Sequence, residues 1–239
     1  FLKRSTTYLL SVILVFSMLG LISCGNSQKK LVVLGDSIAE GVGASKPENS
    51  YASILANELD FSLENFAKSG DTTADLIEKL KKDDVKKAIS QADFIEISIG
   101  GNDFLTKRDE LLDLYNNRSL LSLASEISEI SSDVEKNMNK IAETITNINP
   151  NAKIVIQTLY TIDIYKLRST LELFIDGFNE IFTNLAEKYE NVIVSDVRTA
   201  FKNSKENCIS EDEVHPSDYG HKLIAKTIKE TISKLEENK

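Results

Sequence analysis

Three short segments, far apart in the chain, carry residue types that combine into one chemistry: Gly35-Asp36-Ser37, Gly100-Gly101-Asn102-Asp103 and Asp212-Glu213-Val214-His215. They bring a hydroxyl, a primary amide, an imidazole and a carboxylate. A serine hydroxyl is a weak nucleophile until a base takes its proton, and a neutral imidazole suits that task near physiological pH. Asp212 stands three residues before His215 and can fold back so that its carboxylate receives the ring Nδ1–H. An attacked carbonyl develops an oxyanion that must meet fixed donors. The Asn102 amide and the backbone N–H groups of Ser37 and Gly70 are the candidates. Together these parts suit an acyl-transfer hydrolase.

Each part also has a plainer use. A lone Gly-Asp-Ser is equally an N-cap or a turn, and Gly70 equally a tight turn needing positive φ. His215 sits among Glu211, Asp212 and Glu213, and such acidic runs are usually solvated surface. The other histidine, His221, falls on a predicted helix and is expected to pack or to face solvent. Asp36 and Asp103 read as loop braces accepting backbone N–H bonds. Cys208 has no evident basic neighbour and reads as a partly buried bystander.

The elements that must position these groups follow from hydrophobic period. Leu31–Leu34, Phe61–Phe66, Asp93–Ile99, Lys153–Thr158 and Asn191–Ser195 read as strands. Helices are expected over residues 50–60 with Ser50 as N-cap, 73–82, 120–148, 168–189 and 217–235. Strands separated by helical segments imply a three-layer α/β/α sandwich around a five-stranded parallel sheet, with a flavodoxin-like order of 2-1-3-4-5. Ser37, Gly70 and Asn102 then follow strands one, two and three and share the carboxyl-end rim, where such sheets bind ligands.

Composition narrows the classes. The 239-residue chain suits one domain, its 41% hydrophobic content supplies one core, and three prolines argue against a Pro-rich linker. Its formal charge of −9 makes it a poor candidate for nucleic-acid phosphates. No Cys/His cluster has zinc-ligand spacing, so neither a metal nor another cofactor is expected.

The first residues read as a targeting element. Lys3-Arg4 precedes an apolar run through Leu9–Ile22, long for a core strand and marginal for a membrane span. The run ends in Leu21-Ile22-Ser23-Cys24-Gly25, which resembles the lipobox of bacterial lipoproteins. That resemblance implies a signal peptide over residues 1–23, acylation of Cys24, a tether over 24–30 and a folded domain over 31–239. An uncleaved anchor or an ordinary signal peptide with a chance cysteine is the alternative. Lipidation implies an extracytoplasmic protein held at the bacterial cell membrane, and it leaves Cys208 without a disulfide partner. The chain opens on Phe1 rather than Met, which leaves its start open.

At this point the chain resembles the SGNH hydrolase superfamily, the GDSL-type esterases and lipases. Four blocks stand in family order: Gly35-Asp36-Ser37, the glycine of Asn65-Phe66-Ala67-Lys68-Ser69-Gly70, Gly100-Gly101-Asn102-Asp103 and Asp212-Glu213-Val214-His215-Pro216. The resemblance covers roughly residues 31–237. It implies Ser37 as nucleophile, His215 as base, Asp212 as orienting acid, and Ser37, Gly70 and Asn102 as oxyanion donors. Isoleucine replaces the usual leucine after Ser37, a conservative change. Leu159-Tyr160-Thr161-Ile162-Asp163 lacks a proline often found there.

The expected activity is a serine esterase or lipase acting on a small ester through an acyl-enzyme. Phe104, Leu105, Leu111 and Leu114 favour acyl esters or lysophospholipid-like substrates. The alternatives are an O-acetyl esterase acting on cell-wall or extracellular glycan, and a non-catalytic binding lipoprotein. Oligomeric state is not legible in the sequence.

Overall fold

A computed structural model of the protein describes residues 28–162 and 168–237, the side chains of 168–173 excepted. The expected leader, Cys24 and Asp163 lie outside the described residues.

Five strands form one all-parallel sheet: β1 (Lys30–Gly35), β2 (Ser62–Asn65), β3 (Phe94–Ser98), β4 (Lys153–Gln157) and β5 (Val192–Ser195). Their order is β2-β1-β3-β4-β5, as expected from sequence. The register runs from Val33 beside Asn65 through Leu34 beside Ile97 and Ile97 beside Ile156 to Ile156 beside Val194. The inner strands are rich in buried aliphatic side chains because both faces are covered.

The ten helices of the described residues are α1 (Ser37–Glu40), α2 (Tyr51–Leu59), α3 (Thr73–Lys79), α4 (Asp83–Ser90), α5 (Gly101–Leu105), α6 (Arg108–Asn116), α7 (Leu120–Ile148), α8 (Arg168–Lys188), α9 (Val197–Asn203) and α10 (Asp218–Glu237). Strand alternation divides the core. Val32, Leu34, Ile95 and Ile97 pack under α3, α4, α7 and α8 through Leu76, Ile89, Met138 and Phe182. Leu31, Val33 and Phe94 face α2 and α10 through Tyr51, Leu55, Ile224 and Ile228. Burying a side chain of this size contributes about 1.5–3 kcal/mol.

Ser50 caps α2 as expected, its hydroxyl accepting the Ser53 N–H. The helix expected over 73–82 ends at Lys79, and a further helix that the sequence did not mark, α4, follows at Asp83–Ser90. Lys79 is drawn inward, its ammonium 2.5 Å from Asp71 and donating to the Phe66 carbonyl at 2.6 Å. The chain then turns at Lys82, whose extended backbone starts α4, and Asp83 and Asp84 place negative charge in that helix's first turn. The helices α1, α5, α6 and α9 were also unmarked in the sequence reading. They are short, and α1 and α9 carry a side-chain cap, Asp36 and Asp196 accepting the Ile38 and Thr199 N–H groups.

Candidate active site

The carboxyl ends of β1 and β3 and the loop after β2 deliver Ser37, Asn102 and Gly70 to one cavity, and the loop before α10 brings His215 to the same place. Asp36, not Ser37, caps α1, its carboxylate accepting the Ile38 N–H at 3.0 Å. Ser37 is therefore not the capping residue. It is the first residue of the helix, so its N–H lacks an intrahelical partner and its hydroxyl is free to reach across the cavity.

It reaches His215. Ser37 Oγ lies 2.9 Å from His215 Nε2, and His215 Nδ1 lies 2.6 Å from Asp212 Oδ2. A carboxylate beside Nδ1 fixes the tautomer whose Nε2 accepts a proton. Asp212 is itself well held: its Oδ1 accepts the backbone N–H groups of Val214 and His215 at 3.0 and 2.9 Å and the Ser210 hydroxyl at 2.7 Å. Burial pushes its pKa up, but the hydrogen bonds from His215, Val214 and Ser210 outweigh this and hold the carboxyl well below the usual range. The acidic run is thus solvent-exposed, as surface runs are, and still contains the partner of the imidazole.

The loop carrying the pair is a narrow hairpin. Ile209 bridges Pro216 antiparallel, the Ser210 N–H donates to the His215 carbonyl at 2.8 Å, and Glu213 turns the chain at φ 65°. Tyr160 Oη donates to the Val214 carbonyl at 2.9 Å from the sheet side. Asp218 anchors the next helix by accepting from the Ser45 N–H, the Ser45 hydroxyl and the Asn49 amide, at 2.7, 2.6 and 2.8 Å.

Opposite the imidazole lie the candidate oxyanion donors. Gly70 takes φ 86°, the turn conformation the sequence allowed, with open space where a side chain would be. Asn102 Nδ2 donates one hydrogen to the Asp71 carbonyl at 2.9 Å, which orients the amide and leaves its second hydrogen for a ligand. The buried Asp71–Lys79 pair braces this loop from below, and Ser69 is tied to Glu40, its N–H donating at 2.7 Å. Asp103 accepts the Thr73 N–H at 3.0 Å and its hydroxyl at 2.6 Å. Asp36 and Asp103 are therefore braces within the fold.

Beneath this rim the sheet is unexpectedly polar. Glu96 is fully buried in mid-strand and accepts the Tyr51 hydroxyl, and burial pushes its pKa up to about 8. Burial likewise raises Asp36 to about 7. His221 is buried and committed at both nitrogens: Nε2 faces the Val42 carbonyl at 3.0 Å and Nδ1 the Tyr51 N–H at 3.3 Å. Desolvation lowers its pKa, so it remains neutral packing. Cys208 is buried, and burial raises its thiol pKa, which suits a bystander.

The cavity, about 410 Å³, is walled mainly by apolar side chains. Phe104, Leu105 and Leu111 line it as expected; Leu114 does not, because it lies on another side of α6. The sequence reading missed Tyr115, Leu123 and Ile127 from the α6–α7 corner and Phe174 and Ile175 from α8. It also missed Gly43 behind His215 and Tyr160 behind Val214. Apolar periodicity marks the α7 and α8 positions as inward-facing without saying that the space they face is a cavity. Among the described residues, no group of three or more His, Cys, Asp or Glu side chains is arranged to hold a metal ion, and no helix is long and apolar enough to cross a membrane.

Residues 33–223 match the GDSL-like Lipase/Acylhydrolase family. The chain is 27% identical over 205 residues to the spore germination lipase LipC of Bacillus licheniformis, spanning 82% of this chain and 92% of that one. It is also 27% identical over 216 residues to the protein YpmR of Bacillus subtilis, spanning 85% and 81%. The crystal structure of the lipase Lip_vut3 from a goat rumen metagenome superimposes with a TM-score of 0.69 at 27% identity, covering 84% of this chain and 96% of that one. A phospholipase A1 from Streptomyces albidoflavus shares the fold, with a TM-score of 0.63 at 19% identity over 85% of this chain and all of its own.

Proposed function

Because the chain belongs to the GDSL-like lipase/acylhydrolase family and is an ester-cleaving hydrolase, we propose that Ser37, His215 and Asp212 carry the reaction and that its substrate is an ester with an apolar acyl chain. The observation that supports this most directly is the run of contacts from Ser37 Oγ to His215 Nε2 and from His215 Nδ1 to Asp212, at the edge of an apolar cavity.

In this reading, His215 Nε2 takes the hydroxyl proton as Ser37 Oγ forms a bond to the ester carbonyl carbon. The carbonyl π electrons move to oxygen, which meets the Ser37 and Gly70 N–H groups and the Asn102 amide. The tetrahedral species collapses, the C–O bond to the alcohol breaks, and His215 returns the proton to the departing oxygen. Water then attacks the acyl-enzyme with the same proton traffic, releasing the acid and restoring Ser37. Asp212 stabilises the imidazolium formed in each half.

The apolar lining favours an acyl chain over the small polar pocket suited to glycan O-acetyl groups. The intact Ser37–His215–Asp212 set favours a catalyst over a binding lipoprotein, which needs none of it. The expected site of action is extracytoplasmic, at the bacterial cell membrane, through acylation of Cys24; the support is the Leu21-Ile22-Ser23-Cys24 sequence.

The test is a series of p-nitrophenyl esters with wild type and Ser37→Ala. Wild type should prefer chains of about eight carbons or more, in keeping with a cavity of this size and lining, and Ser37→Ala should be inactive on all. An optimum at acetyl would favour the glycan reading, and undiminished turnover by Ser37→Ala would refute the assignment of the nucleophile.

A further inference from the structure

Building on the acyl-ester reading, we infer that the corner between α6 and α7 is a lipid-docking tip, which inserts Tyr115, Leu120 and Leu121 into a zwitterionic lipid surface so that substrate passes from that surface into the catalytic cavity.

Three observations carry it. The first is placement of exposed apolar surface. Among the described residues the large hydrophobic side chains that stand exposed are Tyr115, Leu120 and Leu121, at 38%, 65% and 89%. Single exposed leucines are ordinary, but exposed apolar side chains gathered within seven residues form an interaction surface.

The second is continuity with the cavity. Tyr115 is exposed and also lines the cavity, and Leu123 and Ile127, on the turns of α7 that follow Leu120, line it as well. An apolar surface therefore runs from solvent at Tyr115, by way of Leu123 and Ile127, into the chamber beside Ser37. Helix α7 has 29 residues, a length of about 43 Å, whereas the five residues of β3 span about 17 Å. Its C-terminal end is fixed at the opposite sheet edge, where the Asn149 amide donates to the Ile89 and Ala92 carbonyls. Its first turns must therefore project well beyond the catalytic rim. The tip and the cavity mouth lie at the same end of the molecule.

The third is charge. The chain carries −9, which opposes approach to an anionic surface. Over residues 107–121, Lys107, Arg108 and Arg118 balance Asp109, Glu110 and Asp113, and Glu126 reaches Lys107 from α7, so the corner is close to neutral within an acidic protein. A neutral apolar tip suits a zwitterionic surface. Lys30 enters β1 at the sheet edge opposite the rim. An anchor preceding it would hold the molecule by its far end, leaving the tip to meet a lipid surface other than the anchoring leaflet.

The chain has no tryptophan, so Leu121→Trp creates a single tryptophan at the tip, excited selectively beside the tyrosines. With phosphatidylcholine vesicles its emission should shift to shorter wavelength and be quenched by brominated acyl chains. Emission unchanged by vesicles, or a shift without vesicles that grows with protein concentration and so reports self-association, overturns the inference. In parallel, the Leu120→Ser/Leu121→Ser variant should hydrolyse dissolved p-nitrophenyl butyrate at the wild-type rate. It should lose about tenfold or more on a long-chain ester presented in vesicles, given the apolar area withdrawn from docking. Equal rates on vesicle-borne ester also overturn it. Failure of wild type to cleave the dissolved ester would strike at the hydrolase reading itself, so the two failures are distinguishable.

Discussion

A Cβ on Gly43 would stand 2.2 Å from the carbonyl oxygen of Pro216 and 3.0 Å from the Cβ of His215. The β1–α2 connection thus forms a wall immediately behind the imidazole, and the wall fits because one residue lacks a side chain. Gly43 also holds φ 93°, which L residues rarely adopt.

Gly43→Ala should therefore push the 209–216 hairpin off its seat. The expected result is a stability loss of about 1–3 kcal/mol from backbone strain alone, with a fall in kcat that exceeds the change in KM. Denaturant titration and steady-state kinetics on a dissolved ester check it. A variant with wild-type kcat would show that the imidazole does not depend on this wall.

Asp212→Asn should keep the shape and lose the chemistry. An amide can present its NH₂ to Nδ1, favouring the tautomer whose Nε2 carries the proton and cannot accept one from Ser37. A loss of about 10⁴-fold in kcat is the scale for a misoriented imidazole of this kind. Because Asp212 stays ionised far below neutrality, the acid limb of the wild-type pH–rate profile should not report this carboxyl.

Asn102→Ala removes an amide already oriented by the Asp71 carbonyl. The expected cost is about 10²–10³ in kcat, the usual cost of one oxyanion donor, with a smaller change in KM. A change confined to KM would assign Asn102 to ground-state binding instead.

Glu96→Gln tests the buried carboxyl. Its pKa rises from 4.5 to about 8 on folding, so the unfolded chain releases the proton first. The stability linked to that proton is complete below pH 4.5 and is lost as pH rises toward 8. Wild-type stability minus that of Glu96→Gln should fall with pH across this window, with a slope of up to about 1.4 kcal/mol per unit. Taking the difference removes the opposite trend from His221, whose lowered pKa costs stability as pH falls. A pH-independent difference would place the Glu96 proton elsewhere.

Much of the architecture is written locally. The runs Leu31–Leu34, Phe94–Ile97 and Ile154–Ile156 are mainly apolar, Glu96 excepted, because parallel inner strands are buried on both faces, and right-handed crossovers then allow few strand orders. The residue types that the fold brings together at the candidate site were legible too, since a hydroxyl, an imidazole and a carboxylate three residues from it are individually recognisable. The end of α3 at Lys79 was not: it depends on Lys79 turning inward to Asp71, a partner eight residues away across a loop.

The sequence by itself restricted the sheet to a few strand orders, set Ser37, Gly70 and Asn102 after the first three strands, and placed Asp212 three residues from His215. Hydrophobic period, strand ends, crossover handedness and short spacing encode those, because each is read from the chain without knowing how distant segments pack. Tertiary structure alone decided that Ser37 Oγ meets His215, that Gly43 and Tyr160 seat the hairpin, and that Leu123, Ile127 and Phe174 enclose an apolar cavity. These are relations between segments tens of residues apart, fixed by how helices of given length pack across the sheet. A one-dimensional pattern shows which side chains turn inward, while the space they leave between them exists only once the layers have met.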